Sequence, residues 1–112
     1  MKLNLNKAIC FFDLETTGTN PGKDRIVEIA ILKLQVNDEK TEMVWRINPE
    51  CPIPTEASSI HGITDEMVKD QPNFKFYSKE IYQFIKGCDL AGYNVDKFDL
   101  PLLVEEFIRS DI

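Results

Sequence analysis

Residues 8 to 18 of the chain, Ala-Ile-Cys-Phe-Phe-Asp-Leu-Glu-Thr-Thr-Gly, limit what it can fold into more than any other stretch. Ala8 to Leu14 is short, apolar and rich in aromatics, which predicts a buried β-strand, and a polar turn with a glycine follows at once. Side chains alternate across a strand, so Asp13 and Glu15 share one face, roughly 6.5–7 Å apart along the backbone. Two carboxylates at the mouth of a buried strand are costly to desolvate unless something compensates their charge. A divalent cation does so, because hard oxygen donors suit Mg²⁺ or Mn²⁺. The alternative is a loop rim on which both acids simply face water.

The rest of the chain supplies a frame for that strand. Asn20-Pro21-Gly22 is a turn signal. Arg25 to Leu34 alternates and is β-branched, and Thr41 to Ile47 follows a polar turn at Asn37-Asp38-Glu39-Lys40, which together predict an antiparallel meander. Pro49, Pro52 and Pro54 mark a loop. Thr64 is placed to cap a short helix through Lys69, with Asp65 and Glu66 favourable in its first turn. Asn73 is placed to cap a longer helix in which Phe74, Tyr77, Ile81 and Phe84 recur at helical spacing, with Gly87 at its C-cap. Asp89 to Tyr93 predicts a fourth strand. A last helix starts near Leu100, accepts Pro101 in its first turn and carries the apolar stripe Leu100, Leu103, Val104, Phe107 and Ile108. The order βββαβα implies an α/β fold, a mixed sheet carrying helices.

At 112 residues the chain suits one small domain with a single core, and no linker or repeat divides it. Its net charge of −6 argues against holding nucleic acid through a broad basic field. That leaves room for a nuclease that meets phosphate through bound metal and a few local donors. Cys10, Cys51 and Cys88 are odd in number and match no metal-ligand spacing, so they read as reduced thiols of a cytoplasmic protein. The N-terminus lacks signal-peptide architecture, and no apolar run is long enough for a bilayer. The final helix stripe has little to pack beyond it, so the expectation is the front portion of a larger domain.

A second constellation is Gly92-Tyr93-Asn94-Val95-Asp96-Lys97-Phe98-Asp99-Leu100-Pro101. Asp99 stands at a helix start just past a strand end, the region where open α/β sheets place their ligands. A helix cap is the alternative role for it.

These two segments resemble the first two motifs of the DEDD-type 3′–5′ exonucleases, a branch of the ribonuclease H-like fold. Asp13 to Gly18 matches the Asp-x-Glu-Thr-Thr-Gly motif, and Asn94, Phe98 and Asp99 match the Asn…Phe-Asp motif. Between them, Asp24-Arg25-Ile26-Val27-Glu28-Ile29-Ala30 and Ile60-His61-Gly62-Ile63-Thr64-Asp65-Glu66-Met67 resemble segments of the epsilon, or proofreading, group of bacterial DNA polymerase III. The resemblance implies a ribonuclease H-like mixed sheet with flanking helices, the C-terminal part of the domain missing. It implies Asp13, Glu15 and Asp99 as catalytic ligands of two Mg²⁺ or Mn²⁺ ions. It also implies Thr16, Thr17, Glu56, His61, Asn94 and Phe98 as contacts to the terminal nucleotide, with Glu56 near the 3′-hydroxyl. A structural loop residue bonded to its own turn is the other reading of His61.

Two departures from the family pattern stand out. Tyr93 occupies the place of a frequent histidine, and three residues rather than two separate Asn94 from Phe98, as in the proofreading domains of family B polymerases. The third motif, a His or Tyr base with a fourth metal-binding Asp, is absent: no His-x4-Asp or Tyr-x3-Asp follows Asp99. The resemblance therefore implies a 3′–5′ exonuclease that releases nucleoside monophosphates from a 3′ end of single-stranded DNA, with a DNA polymerase subunit as a partner and no membrane. The chain alone is expected to be weakly active. The alternatives are an RNA-trimming exonuclease of the same fold and a non-catalytic nucleotide- or polymerase-binding fragment.

Overall fold

The computed structural model describes residues 7–20, 22–91 and 100–110. Among these, four strands form one sheet in the order β3-β2-β1-β4, with β1 at Ile9–Thr16, β2 at Ile26–Leu34, β3 at Lys40–Arg46 and β4 at Asp89–Ala91. β1, β2 and β3 make the expected antiparallel meander, with Phe12 opposite Ile31 and Ile31 opposite Met43. β4 returns parallel to β1, pairing Ile9 with Asp89 and Phe11 with Ala91, so the sheet is mixed. The helices are α1 at Thr55–His61, α2 at Asp65–Val68, α3 at Phe74–Ile85 and α4 at Leu100–Arg109.

The core lies on one face of the sheet. Cys10, Phe12 and Leu14 of β1 and Ile29 and Ile31 of β2 pack against Phe74, Ile81 and Ile85 of α3 and Leu102 and Leu103 of α4. Aromatic edges lock the layers, with Phe74 and Phe107 5.2 Å apart between ring centres. β1 buries only this face: Phe11 and Asp13 alternate outward and are exposed. The expected buried strand is therefore half-buried, with Phe11 and Asp13 on its open face.

A bulge in β2 builds a second, smaller core. Glu15 pairs with Glu28, but Thr16 pairs with Ile26, so Val27 is the extra residue. One extra residue flips the side-chain alternation. Ile26 thus joins the main core while Val27 joins Ile53, Ala57, Ile63 and Val68, the apolar side of α1 and α2. This is how the two short helices come to sit by the end of β1.

Helix α1, which follows the loop marked by Pro49, Pro52 and Pro54, is not among the expected helices. Its seven residues bury only Ala57, so they carry no stripe to read. Gly62 ends it in the left-handed region (φ 75°), donating its N–H to the Ser58 carbonyl at 2.7 Å. Thr64 occupies the N-cap of α2 but its side chain makes no capping bond. Asn73 does cap α3, its Oδ1 accepting from the Phe76 N–H at 2.9 Å. Lys86 is the C-cap of α3, and Gly87 (φ 76°) lies one residue beyond.

Helix α4 is turned relative to its apolar stripe. Leu102, Leu103 and Glu106 are buried, whereas Val104 and Ile108 are exposed beside Tyr82. The polar partners of Glu106, described below, account for this rotation. Among the described residues no helix is long and apolar enough to cross a membrane.

Candidate active site

Among the described residues β4 pairs with β1 from Ile9 to Phe11, and Asp13 and Glu15 lie further along β1. Both side chains lie on the face opposite Phe12 and Leu14, as strand alternation requires. Asp13 is exposed and Glu15 is half-buried. Burial raises the Glu15 carboxyl above its ordinary value of 4.5; the Asp13 charge adds to this, His61 opposes it and Glu28 reinforces it. A like-charged oxygen pair that raises one of its members is a donor set that fits a hard divalent cation. Asp99, Asn94 and Phe98, the second motif, lie outside the described residues. Among the described residues, no group of three or more His, Cys, Asp or Glu side chains stands close enough to hold a metal.

Glu15 also borders a cleft of about 450 Å³. Thr16 at the end of β1 and Thr17, Gly18 and Thr19 of the turn after it form one wall; Pro54, Glu56, Ala57, Ile60 and His61 form the other. The structure therefore brings together Glu15, Thr16, Thr17, Glu56 and His61, whereas Asp13 lines a separate groove with Phe11, Ala30 and Leu32. Ile60 is an addition that sequence reasoning passed over. It is 86% exposed yet lines the cleft, an apolar side chain outside any helical stripe. Its adjacency to His61 was the available signal.

His61 is held by both ring nitrogens. Nδ1 accepts from the Ile63 N–H at 3.0 Å, which leaves the proton on Nε2 to be donated to the Thr16 carbonyl at 3.0 Å. The residue bonds its own turn and also ties α1 to the end of β1. Thr16 donates its hydroxyl to the Gly18 carbonyl at 2.7 Å. Thr17 is buried; its hydroxyl donates to Asp24 Oδ1 and accepts from the Arg25 N–H, both at 3.0 Å. Thr17 thus spends its hydroxyl on shaping the turn.

The same turn explains Gly18. A Cβ there would lie 2.5 Å from Asp24 Oδ2, and Asp24 cannot withdraw without losing its bonds to Thr17 and to the Asn20 N–H. Gly18→Ala is expected to cost about 1–3 kcal/mol, seen as a lower midpoint in thermal melting. An unchanged midpoint would mean that the turn relaxes freely.

The mixed four-stranded sheet with flanking helices has the ribonuclease H-like fold. The structure of Escherichia coli exonuclease I in complex with a dT13 oligonucleotide superposes with a TM-score of 0.83 at 23% identity, over 94% of this chain and 24% of that one. The family model described as Exonuclease, of the RNase T type, matches residues 10–110, and the chain belongs to this family. It is 34% identical to the DNA polymerase III subunit epsilon of Buchnera aphidicola over 94% of this chain and 47% of that protein. It is 40% identical to the subunit of the same name from Rickettsia prowazekii over 84% of this chain and 42% of that protein. The chain spans less than half the length of these relatives.

Proposed function

We propose that the chain is a metal-dependent exonuclease domain that works from the 3′ end of single-stranded DNA and releases nucleoside 5′-monophosphates, in a proofreading setting. The observation that carries this reading is the double role of Glu15, which belongs both to the acid pair of β1 and to the wall of the cleft. A cation held by Asp13 and Glu15, with Asp99 completing the set, would meet the phosphate of whatever nucleotide occupies the cleft. When bound, two such ions supply an activated water and stabilise the leaving 3′-oxygen.

The remaining work falls to this chain's own side chains. Glu56 is exposed at the rim and can accept a hydrogen bond from a terminal 3′-hydroxyl. Ile60, Pro54 and Ala57 offer apolar surface to a base. His61 orients the Thr16 carbonyl and so fixes the turn against which the sugar rests. In this reading Asn94 and Phe98 are contacts to the terminal nucleotide, and Mg²⁺ or Mn²⁺ in a cytoplasmic setting, with a DNA polymerase subunit as partner, is the matching context. The epsilon relatives support the choice of DNA over RNA.

The test is calorimetric titration of deoxythymidine 5′-monophosphate into the chain with and without Mn²⁺. Binding should tighten by about tenfold or more with the metal, equivalent to about 1.4 kcal/mol, and the 3′-monophosphate should not show this gain. Equal affinities with and without Mn²⁺ would support a nucleotide-binding module instead of a nuclease.

A further inference from the structure

Glu106 is a carboxylate on α4 whose side chain is 1% exposed. Its Oε1 accepts from Arg25 Nε at 2.9 Å and from an Arg109 guanidinium nitrogen at 3.1 Å, and its Oε2 accepts from the Ile26 N–H at 3.1 Å. A buried ion pair is seldom a net gain in stability over an apolar pair of the same volume, so its value is more often in fixing one arrangement. Here the arrangement runs on toward the cleft. Arg109 also donates to the Asp24 carbonyl at 3.2 Å and the Gly22 carbonyl at 3.3 Å. The Asp24 carboxylate in turn accepts from the Thr17 hydroxyl at 3.0 Å and the Asn20 N–H at 2.8 Å. Gly18 packs directly on that carboxylate. Asp24, held at its carbonyl by Arg109 and at its carboxylate by Thr17 and Asn20, therefore joins α4 to the turn whose Thr17, Gly18 and Thr19 wall the cleft.

We propose that Glu106 is a positioning residue for the nucleotide cleft: from α4, through Arg25, Arg109 and Asp24, it sets the turn at residues 17–20. The proposal rests on the reading of the cleft as a nucleotide site, but its structural half does not. Arg25 is placed from its side chain by Glu106 and from its N–H by the Thr17 hydroxyl, so a shift of the glutamate is felt at both ends. With Arg109 also gripping the backbone at residues 22 and 24, the turn is anchored at its returning limb rather than at its tip.

The experiment compares the wild-type chain with Glu106→Gln and Arg109→Lys. Glu106→Gln keeps the shape and removes the charge. Arg109→Lys keeps the charge and cannot hold both carbonyls and the carboxylate. Three quantities are read: backbone amide chemical shifts of the ligand-free chain, affinity for deoxythymidine 5′-monophosphate with Mn²⁺, and the melting midpoint. In Glu106→Gln the amides of Thr17 to Asn20 should move, and nucleotide affinity should fall about tenfold, the scale of one lost hydrogen bond to a charged group. Arg109→Lys should move the same amides with little change in midpoint. Shifts confined to α4, Arg25 and Ile26, with unchanged affinity, would overturn the proposal and leave Glu106 as a core partner alone. If Glu106→Gln does not fold, Arg109→Lys decides by the same amides. If even the wild type fails to bind the nucleotide, the cleft reading falls, and the amides of Thr17 to Asn20 still decide whether the relay exists.

Discussion

Asp13→Ala should lower Mn²⁺ affinity by more than about 100-fold, since groups that merely orient metal ligands already account for 10–100-fold. Asp13 is exposed on the outward face of β1 and belongs to neither core cluster, so its truncation removes no core contact. The chain should therefore stay folded while its metal site fails. Electron paramagnetic resonance titration of Mn²⁺ against wild type and variant reads the affinity. Equal affinities would remove Asp13 from the site.

The same substitution carries a stability signature of opposite sign. Glu15 has its carboxyl raised above 4.5, by burial first and by the Asp13 charge second. A carboxyl raised on folding contributes stability that is complete below its unfolded value and is lost as pH rises through its folded value. In the metal-free chain the pair thus weighs against folding at neutral pH. With a chelator present, Asp13→Ala and Glu15→Gln should both melt higher than wild type at pH 7.5, and the gap should close toward pH 4. Added Mn²⁺ should reverse the order by stabilising the wild type alone. A wild type that melts highest at pH 7.5 in chelator would mean that the two acids are compensated by some other group.

Much of this frame was legible in the sequence because it rests on short-range periodicity. The alternation from Cys10 to Glu15 fixes which face takes the acids, the polar turn at residue 37 fixes the meander, and Asn73 caps α3 as its position suggests. What escaped depends on contacts between distant residues. Val27 changes core only because β2 carries a bulge opposite Thr16, and α1 is held by that second core rather than by a stripe of its own. The stripe of α4 is misjudged for a related reason. A glutamate in the buried position is unreadable from the helix alone, because its partners Arg25 and Ile26 are about eighty residues away in sequence. The candidate site divides in the same way: Asp13 and Glu15 follow from alternation, whereas the bond of His61 to Thr16 crosses from α1 to β1.

Phe12→Ala should show the reverse of Asp13→Ala, one residue away. Phe12 is 3% exposed and stands in the main core among Cys10, Leu14, Ile29, Ile31 and the residues of α3 and α4. Truncating a buried phenylalanine to alanine typically costs 3–5 kcal/mol, the lost transfer free energy plus the cavity that remains. Domains of this size hold about 5–15 kcal/mol in all, so the variant keeps a small margin or none. Urea unfolding should show a midpoint far below wild type with a similar slope, because the surface exposed on unfolding is nearly the same. The acid pair is untouched in this variant, and Mn²⁺ affinity measured on its folded fraction should match wild type once the folding equilibrium is included. Stability and metal binding would then separate cleanly along one strand, inward to Phe12 and outward to Asp13. A Phe12→Ala chain as stable as wild type would mean that the helices do not seat on β1. Folded Phe12→Ala protein with weakened Mn²⁺ binding would mean that the acids are positioned by core packing rather than by the strand's own alternation.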